Sequence, residues 1–203
     1  SKLPDYAGDN DNRPLEYLLD RSRLGIVTLA DGRPDAAEPW LAESFATLVA
    51  SIPEAFCSQP ALGAWTVRDL VGHTNRSLRV VKDGLAQQTS QRPVIHSAVE
   101  YYIARRSLDP SKSVARAKAA GAALGCSPAQ EVHDLVELVC NLVDEAPADV
   151  VISTHVGAMR LDDYLETRIF ELTVHSLDLM AVARKPWGIG KQPLQMALRL
   201  CAD

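Results

Sequence analysis

Residues 162–183 are apolar on nearly every side when they are drawn as a helix. The apolar side chains are spread around the whole circumference, at Leu165, Ile169, Phe170, Leu172, Val174 and Leu177. A helix that is apolar all round is stable in water only when other elements cover it. Further helices are the simplest cover, so this segment predicts a helical bundle around it.

Three more segments carry helical periodicity and complete a predicted four-helix core. Residues 39–52 have an apolar stripe and end at a proline, and residues 65–87 begin with Thr66 and Asp69 in capping-box positions. Residues 127–147 begin with Ser-Pro, the usual order of N-cap and first helical residue. The core faces predicted for the last two are Leu70, Thr74, Leu78, Val81 and Leu85, and Leu135, Leu138, Val139 and Leu142.

The rest of the chain predicts short helices and an irregular arm. Residues 94–106, 112–124 and 193–202 are helix-like, and residues 149–154 are β-branched and predict at most one strand. The predicted fold class is therefore all-α, a four-helix bundle with extra short helices. Residues 1–38 are rich in Asp, Asn, Gly and Pro and predict an N-terminal arm, which leaves 39–203 as the bundle domain.

Composition excludes several classes of function. The net charge of −5 gives no electrostatic case for binding nucleic acid or an anionic membrane. No apolar run is long enough for a membrane span, and no signal-peptide pattern is present. The four cysteines are widely spaced, which favours free thiols over disulfides. We therefore expect a cytoplasmic protein.

A stripe of ionisable residues crosses the apolar helix. Arg168, Glu171, His175 and Asp178 are three, four and three residues apart, so they share one face. One interpretation is a ladder of two salt bridges, Arg168–Glu171 and His175–Asp178. The other is a metal site, in which Glu171 and His175 are ligands and Asp178 holds the second ring nitrogen of His175. The apolar surroundings favour the second, because a buried charge must be paired or ligated.

A metal site needs a third ligand, and His73 is the best candidate. It lies on the second core helix, beside the inward-facing Thr74. His155 precedes the apolar helix and is placed to line the mouth of a pocket, whereas His133 is expected at the surface. His96 has no partner in its sequence neighbourhood.

Two segments resemble a known family. GAWTVRDLVGHTNRSL (63–78) and GAMRLDDYLETRIFELTVHSLDL (157–179) are similar to the maleylpyruvate isomerase family of mycothiol-dependent enzymes, whose N-terminal domain is a DinB-like four-helix bundle. The resemblance implies that His73, Glu171 and His175 bind a divalent metal, typically zinc, with one position left open. It also implies mycothiol, the small-molecule thiol of actinobacteria, as cosubstrate.

The resemblance implies a thiol-dependent isomerase or transferase. The metal would activate the thiol for attack on an electrophile such as maleylpyruvate, in which addition to the double bond permits rotation before elimination. Arg168 and Arg76 are the candidates for holding an anionic substrate. Isomerases of the family also carry a small C-terminal domain, which we do not expect within these 203 residues.

Two other functions stay open at this point. The bundle can be a non-catalytic binding or regulatory module in which the metal is a structural clip. It can also be an interaction protein that docks a partner through the arm. A homodimer is expected from a helix that is apolar on nearly every side.

Overall fold

The computed structural model describes residues 41–107, 109, 111–185 and 189–202, so the predicted arm at 1–38 lies outside the described residues. The described residues form seven α-helices, a 3-10 turn and one β-hairpin. The helices are α1 (Leu41–Ala50), α2 (Val67–Ala86), α3 (Ala98–Arg105), α4 (Ser111–Ala123), α5 (Pro128–Asp144), α6 (Leu161–Ala183) and α7 (Lys191–Ala202). The 3-10 turn is Glu54–Phe56, and the strands are β1 (Val151–Thr154) and β2 (Gly157–Arg160).

The core is a ring of four helices, which confirms the predicted all-α bundle. Helix α1 packs on α5 and α6, and α2 packs on the same two helices from the other side. Helices α3 and α7 add further cover to α6. The apolar sequence of α6 is therefore accounted for within one chain, and the expected homodimer stays a prediction without structural support.

Helix α2 begins at a complete capping box. The Asp69 amide donates to Thr66 Oγ1, and the Thr66 amide donates to the Asp69 carboxylate. This start fixes the phase of the helix, and the predicted inward face is buried at Leu70, Thr74, Leu78, Val81 and Leu85.

Helix α5 differs from the prediction in two details. Leu138 was predicted in the core but is 45% exposed. At 100° per residue it lies about 120° from the centre of the face that is buried, which comprises Val132, Leu135, Val136, Val139 and Val143. Ser127 makes no side-chain cap, and the Gln130 amide donates to Asp134 instead.

The hairpin between α5 and α6 contains a second strand, so the prediction of at most one strand is wrong. Strand β2 pairs antiparallel with β1, with Ile152 opposite Met159. The sequence of β2, GAMR, has little β propensity, and tertiary pairing overrides it. Gly157 has a φ of 137°, which a side chain rarely tolerates. The turn brings His155 against α3.

Helix α4 lies against α2 at unusually close range. A Cβ on Gly72 would stand 2.3 Å from the Gly121 nitrogen, and a Cβ on Gly121 would stand 3.0 Å from Asp69 Cα. The Arg68 Nε donates at 2.9 Å to the Gly121 carbonyl at the end of α4. The two glycines therefore set the distance between these helices.

No helix among the described residues combines the length and apolarity needed to cross a bilayer.

We predict that Gly72→Ala destabilises the protein by about 2 kcal/mol, because overpacking a backbone contact costs roughly 1–3 kcal/mol. Gly84→Ala is the matched control on the same helix, since its Cβ would meet only the side chain of Ile152, whose flexible end is the nearest atom at 3.0 Å. The higher helix propensity of alanine, about 1 kcal/mol, offsets the unfavourable free energy of that contact. Urea denaturation measures both variants, and equal stability of Gly72→Ala and the wild type would contradict the close packing.

Candidate metal centre

Three potential ligands converge between α2 and α6. His73 points from α2 toward Glu171 and His175 on α6, and one ligand atom from each residue lies within 4.8 Å of the other two. Glu171 Oε2 is 3.4 Å from His175 Nε2 and 4.0 Å from His73 Nε2. The structure thus brings together the three residues that the sequence analysis selected.

The two oxygens of Glu171 have different surroundings. Oε2 faces the histidines, whereas Oε1 accepts a hydrogen bond from the Tyr102 hydroxyl at 3.1 Å. Arg105 Nη1 also lies 3.4 Å from Oε1. Tyr102 and Arg105 both belong to α3, so this helix holds one oxygen and leaves the other directed at the imidazoles.

His175 is oriented by its own helix. Its Nδ1 is 3.0 Å from Asp178 Oδ2, one turn further along α6. A carboxylate at this distance holds a proton on Nδ1 and orients the ring so that Nε2 faces Glu171 Oε2 and His73. The predicted His175–Asp178 contact is therefore present.

His73 makes no hydrogen bond with any described residue. Its Nδ1 is buried without a partner, and its Nε2 is 4.0 Å from the closest carboxylate oxygen. The ring of Trp65 lies against it, with ring centroids 4.6 Å apart. A buried imidazole that is not committed to a hydrogen bond retains a lone pair for another ligand.

The electrostatics of the triad keep His73 neutral and Glu171 ionised, the forms in which these two residues bind metals. Burial and the neighbouring His175 lower the pKa of His73 to about 4, so His73 is neutral at pH 7. Burial alone would raise the pKa of Glu171, but the hydrogen bond from His175 and the charges of Arg168 and Arg105 lower it to about 2. Burial would lower the pKa of His175, yet its hydrogen bonds to Glu171 and Asp178 raise it. The carboxylate is therefore ionised.

The donor set and the spacing fit a divalent metal. Ligand atoms about 2.0–2.2 Å from a tetrahedral zinc stand about 3.3–3.6 Å apart. The 3.4 Å separation already has that value, whereas the 4.0 Å separation and the third, which is at most 4.8 Å, require the side chains to move closer together. Two imidazoles and one carboxylate leave a fourth position for another molecule.

Comparison with protein-family models identifies the family of the chain. The sequence model of a family described as mycothiol maleylpyruvate isomerase N-terminal domain matches residues 29–180. The chain belongs to this family. The matched region contains all three residues of the triad and begins upstream of the bundle boundary predicted at residue 39. Searches of curated proteins and of solved structures returned no match.

Membership in the mycothiol maleylpyruvate isomerase family confirms the resemblance inferred from residues 63–78 and 157–179. The description of the family connects the domain with mycothiol and with isomerisation. His73, Glu171 and His175 lie in the two segments on which the resemblance was based.

The two candidate arginines lie near the triad but not in it. Arg168 is buried, and its Nη2 donates to the Tyr101 hydroxyl at 3.3 Å. Among the described residues it is Arg105 that pairs with Glu171, so the Arg168–Glu171 salt bridge of the alternative interpretation is wrong. Arg76 is partly buried on α2, and burial together with the nearby charge of Arg116 lowers its pKa.

Sequence reasoning missed the contribution of α3. Tyr102, Arg105 and the Tyr101 ring were not selected, because α3 is short and none of these residues belongs to a spacing motif.

The three histidines outside the triad lie partly where the sequence predicted them. His133 is exposed on α5, His96 is exposed beside α3, and His155 packs its ring 5.5 Å from that of Tyr101.

We predict that Tyr102→Phe destabilises the metal-free protein by about 1 kcal/mol, the usual net value of one hydrogen bond. Urea denaturation of Tyr102→Phe, Glu171→Gln and the double variant gives the coupling free energy of the pair. We expect a coupling above about 0.5 kcal/mol, since contacting residues are not additive. Additive losses would mean that the Tyr102 hydroxyl does not position Glu171.

Proposed function

We propose that this protein is a metal-dependent enzyme that activates a small-molecule thiol, mycothiol, for attack on an electrophilic substrate, as an isomerase or a transferase. The convergence of His73, Glu171 and His175 around one point carries the proposal. Membership in the mycothiol maleylpyruvate isomerase family supports the choice of thiol.

Zinc is the proposed ion, because two imidazoles and a carboxylate with an open fourth position are typical of catalytic zinc sites. A divalent ion held there supplies Lewis acidity, which lowers the pKa of a thiol and makes the nucleophilic thiolate available at neutral pH.

The side chains around the triad have supporting roles in the proposal. Asp178 fixes the tautomer of His175, and Tyr102 and Arg105 hold Glu171 Oε1 so that Oε2 stays directed inward. The Trp65 ring covers His73 and excludes water from one side. Oriented ligands of this kind raise metal affinity, and loss of such a partner typically costs 10–100-fold in affinity.

Arg168 and Arg76 are proposed to attract the anionic group of the substrate. Both are cationic, and both lie on the helices that carry the triad. An electrophile with a carboxylate, such as maleylpyruvate, combines a reactive double bond with a group that arginine recognises.

We predict that the purified protein binds one equivalent of zinc and that His73→Ala or His175→Ala weakens binding by more than about 100-fold, beyond the loss of a supporting residue. His133→Ala, an exposed histidine on α5, is the matched control and should bind normally. Elemental analysis and competition with a chelating dye measure the affinity. Wild-type protein that binds no divalent ion would refute the proposed centre.

Zinc at about 100 times its dissociation constant should stabilise the protein by about 2.7 kcal/mol, which in a domain of this size raises Tm by about 5–10 °C. The rise should vanish in His175→Ala and persist in His133→Ala. Differential scanning calorimetry with and without chelator measures it.

We predict that the zinc-loaded protein consumes mycothiol or isomerises maleylpyruvate only when thiol and electrophile are both present. Glu171→Gln should lower kcat/KM by at least about 100-fold, because it removes a charged ligand. Mass spectrometry detects thiol adducts, and ultraviolet absorbance follows isomerisation. Normal zinc binding without any thiol-dependent product across a panel of electrophiles would favour the alternative, a non-catalytic metal-binding module.

A further inference from the structure

A groove lies between α1 and α5. Its volume is about 760 Å³, in the range that is common for binding pockets. The described residues that line it all belong to these two helices. Around the helix ring the packing order is α1, α5, α2 and α6, so the triad between α2 and α6 lies at the opposite edge. The α1/α5 groove is therefore separate from the metal centre.

The floor of the groove is apolar, and its wall on α1 consists of short side chains. Val136 and Cys140, one turn apart on α5, are buried at the bottom. Ala46, Thr47 and Ala50 form the wall on α1. Because these side chains are short, the two helices leave a recess between them. An occupant with branched apolar side chains would fill that recess and cover the floor.

The rim of the groove is acidic. Glu43 of α1 and Glu137 of α5 line it, and within the described residues no lysine or arginine does so. Helix α5 also carries Glu131, Asp134 and Asp144 but no lysine or arginine. A concentration of one sign of charge attracts an occupant of the opposite sign. The groove therefore favours an occupant that is both apolar and cationic.

One segment of this chain outside the described residues has that composition. Residues 21–30, RSRLGIVTLA, form the longest stretch without an acidic residue between positions 1 and 40. The stretch begins with two cations, Arg21 and Arg23. Its apolar side chains follow at Leu24, Ile26, Val27 and Leu29. The segment thus matches the groove in charge and in apolar character.

The segment is attached to one wall of the groove. Helix α1 begins at Leu41 and contributes Glu43 to the rim. The roughly eleven residues between Ala30 and Leu41 span up to about 36 Å when extended. Helix α5, with 17 residues, is about 25 Å long, so this connection reaches every part of the groove. A tether this short gives the segment an effective concentration on the order of millimolar, which favours it over a separate molecule.

We propose that residues 21–30 bind in the α1/α5 groove of their own chain. In this arrangement the apolar residues 24–29 cover Val136 and Cys140, and Arg21 and Arg23 lie at the acidic rim. The proposal does not depend on the metal centre or on thiol chemistry, because the groove and the triad are at opposite edges of the ring.

Disulfide trapping tests the position of the segment. Val27→Cys combined with Thr47→Cys, an exposed position of the groove, should form an intramolecular disulfide in air with a copper catalyst. Val27→Cys with Ala119→Cys is the matched control, because Ala119 is exposed on α4, which packs on α2. Peptide mapping by mass spectrometry should give at least about fivefold more of the first disulfide.

Two further positions in the groove keep the trapping experiment decisive. Ala50→Cys, also exposed in the groove, replaces Thr47→Cys if circular dichroism shows that the latter does not fold. The four native cysteines are retained, and peptide mapping separates their disulfides from the engineered one. A disulfide between Val27→Cys and the native Cys140 supports the proposal as well, because Cys140 lies on the floor.

Charge reversal tests the contact with the rim. Arg21→Glu with Arg23→Glu should lower the trapping yield at least about fivefold, because like charges then meet at the rim. Lys2→Glu with Arg13→Glu makes the same change in net charge outside the segment and should leave the yield unchanged. Adding Glu43→Lys and Glu137→Lys to the first pair should restore it.

Three results would overturn the proposal. Equal yields with Thr47→Cys and Ala119→Cys would mean that the segment has no preference for the groove. A covalent dimer on a non-reducing gel, increasing with protein concentration, would place a second copy there. An unchanged yield after reversal of Arg21 and Arg23 would contradict their position at the acidic rim.

Zinc affinity of the same variants separates this proposal from the proposed function. It should equal that of the wild type in all of them, since none alters the triad. Failure of trapping with normal zinc binding would refute the docked segment alone. Specific trapping in a protein that binds no zinc would refute the proposed function and leave the docked segment intact.

Discussion

The site depends on the contacts that the Glu171 carboxylate makes with its neighbours. Its Oε2 faces one imidazole from α2 and one from α6, and its Oε1 is held by two side chains of α3. Three helices therefore meet at a single side chain that is 15% exposed. A buried carboxylate would be unfavourable alone, and here Oε1 contacts a donor and a cation while Oε2 faces the two imidazoles.

The fold explains why these helices meet with a fixed geometry. Helix α6 packs against α1, α2, α3 and α7, which leave the side chains of Glu171 and His175 largely buried, whereas Asp178 at the end of the stripe is 32% exposed. Helix α2 is fixed at its start by the Thr66 capping box and along its side by the contact of Gly72 with α4. Each constraint acts within two turns of His73. The rigid parts of the bundle thus surround the residues that need a defined distance.

The sequence carried enough information for the helical core and the triad. Periodicity predicted α2, and an apolar surface on nearly every side predicted α6 as an enclosed helix. The E-x-x-x-H spacing with its following Asp178 predicted the orientation of His175. Other features had no local signal. The partner of Glu171 is Arg105 rather than Arg168, because α3 approaches α6 from a distance of more than sixty residues along the chain. Strand β2 likewise depends on tertiary pairing that periodicity does not contain.

In the hairpin, the residues that anchor it in the core are different from the residue that faces the Tyr101 ring. Its strands are anchored by Ile152 and Met159, which are fully buried, whereas the turn at His155 is exposed and faces the Tyr101 ring. A substitution in that turn changes the wall above the ring without altering the helices that hold the triad. In the proposed function, proteins built on this bundle can acquire different substrate preferences through a few turn residues while His73, Glu171 and His175 remain the same.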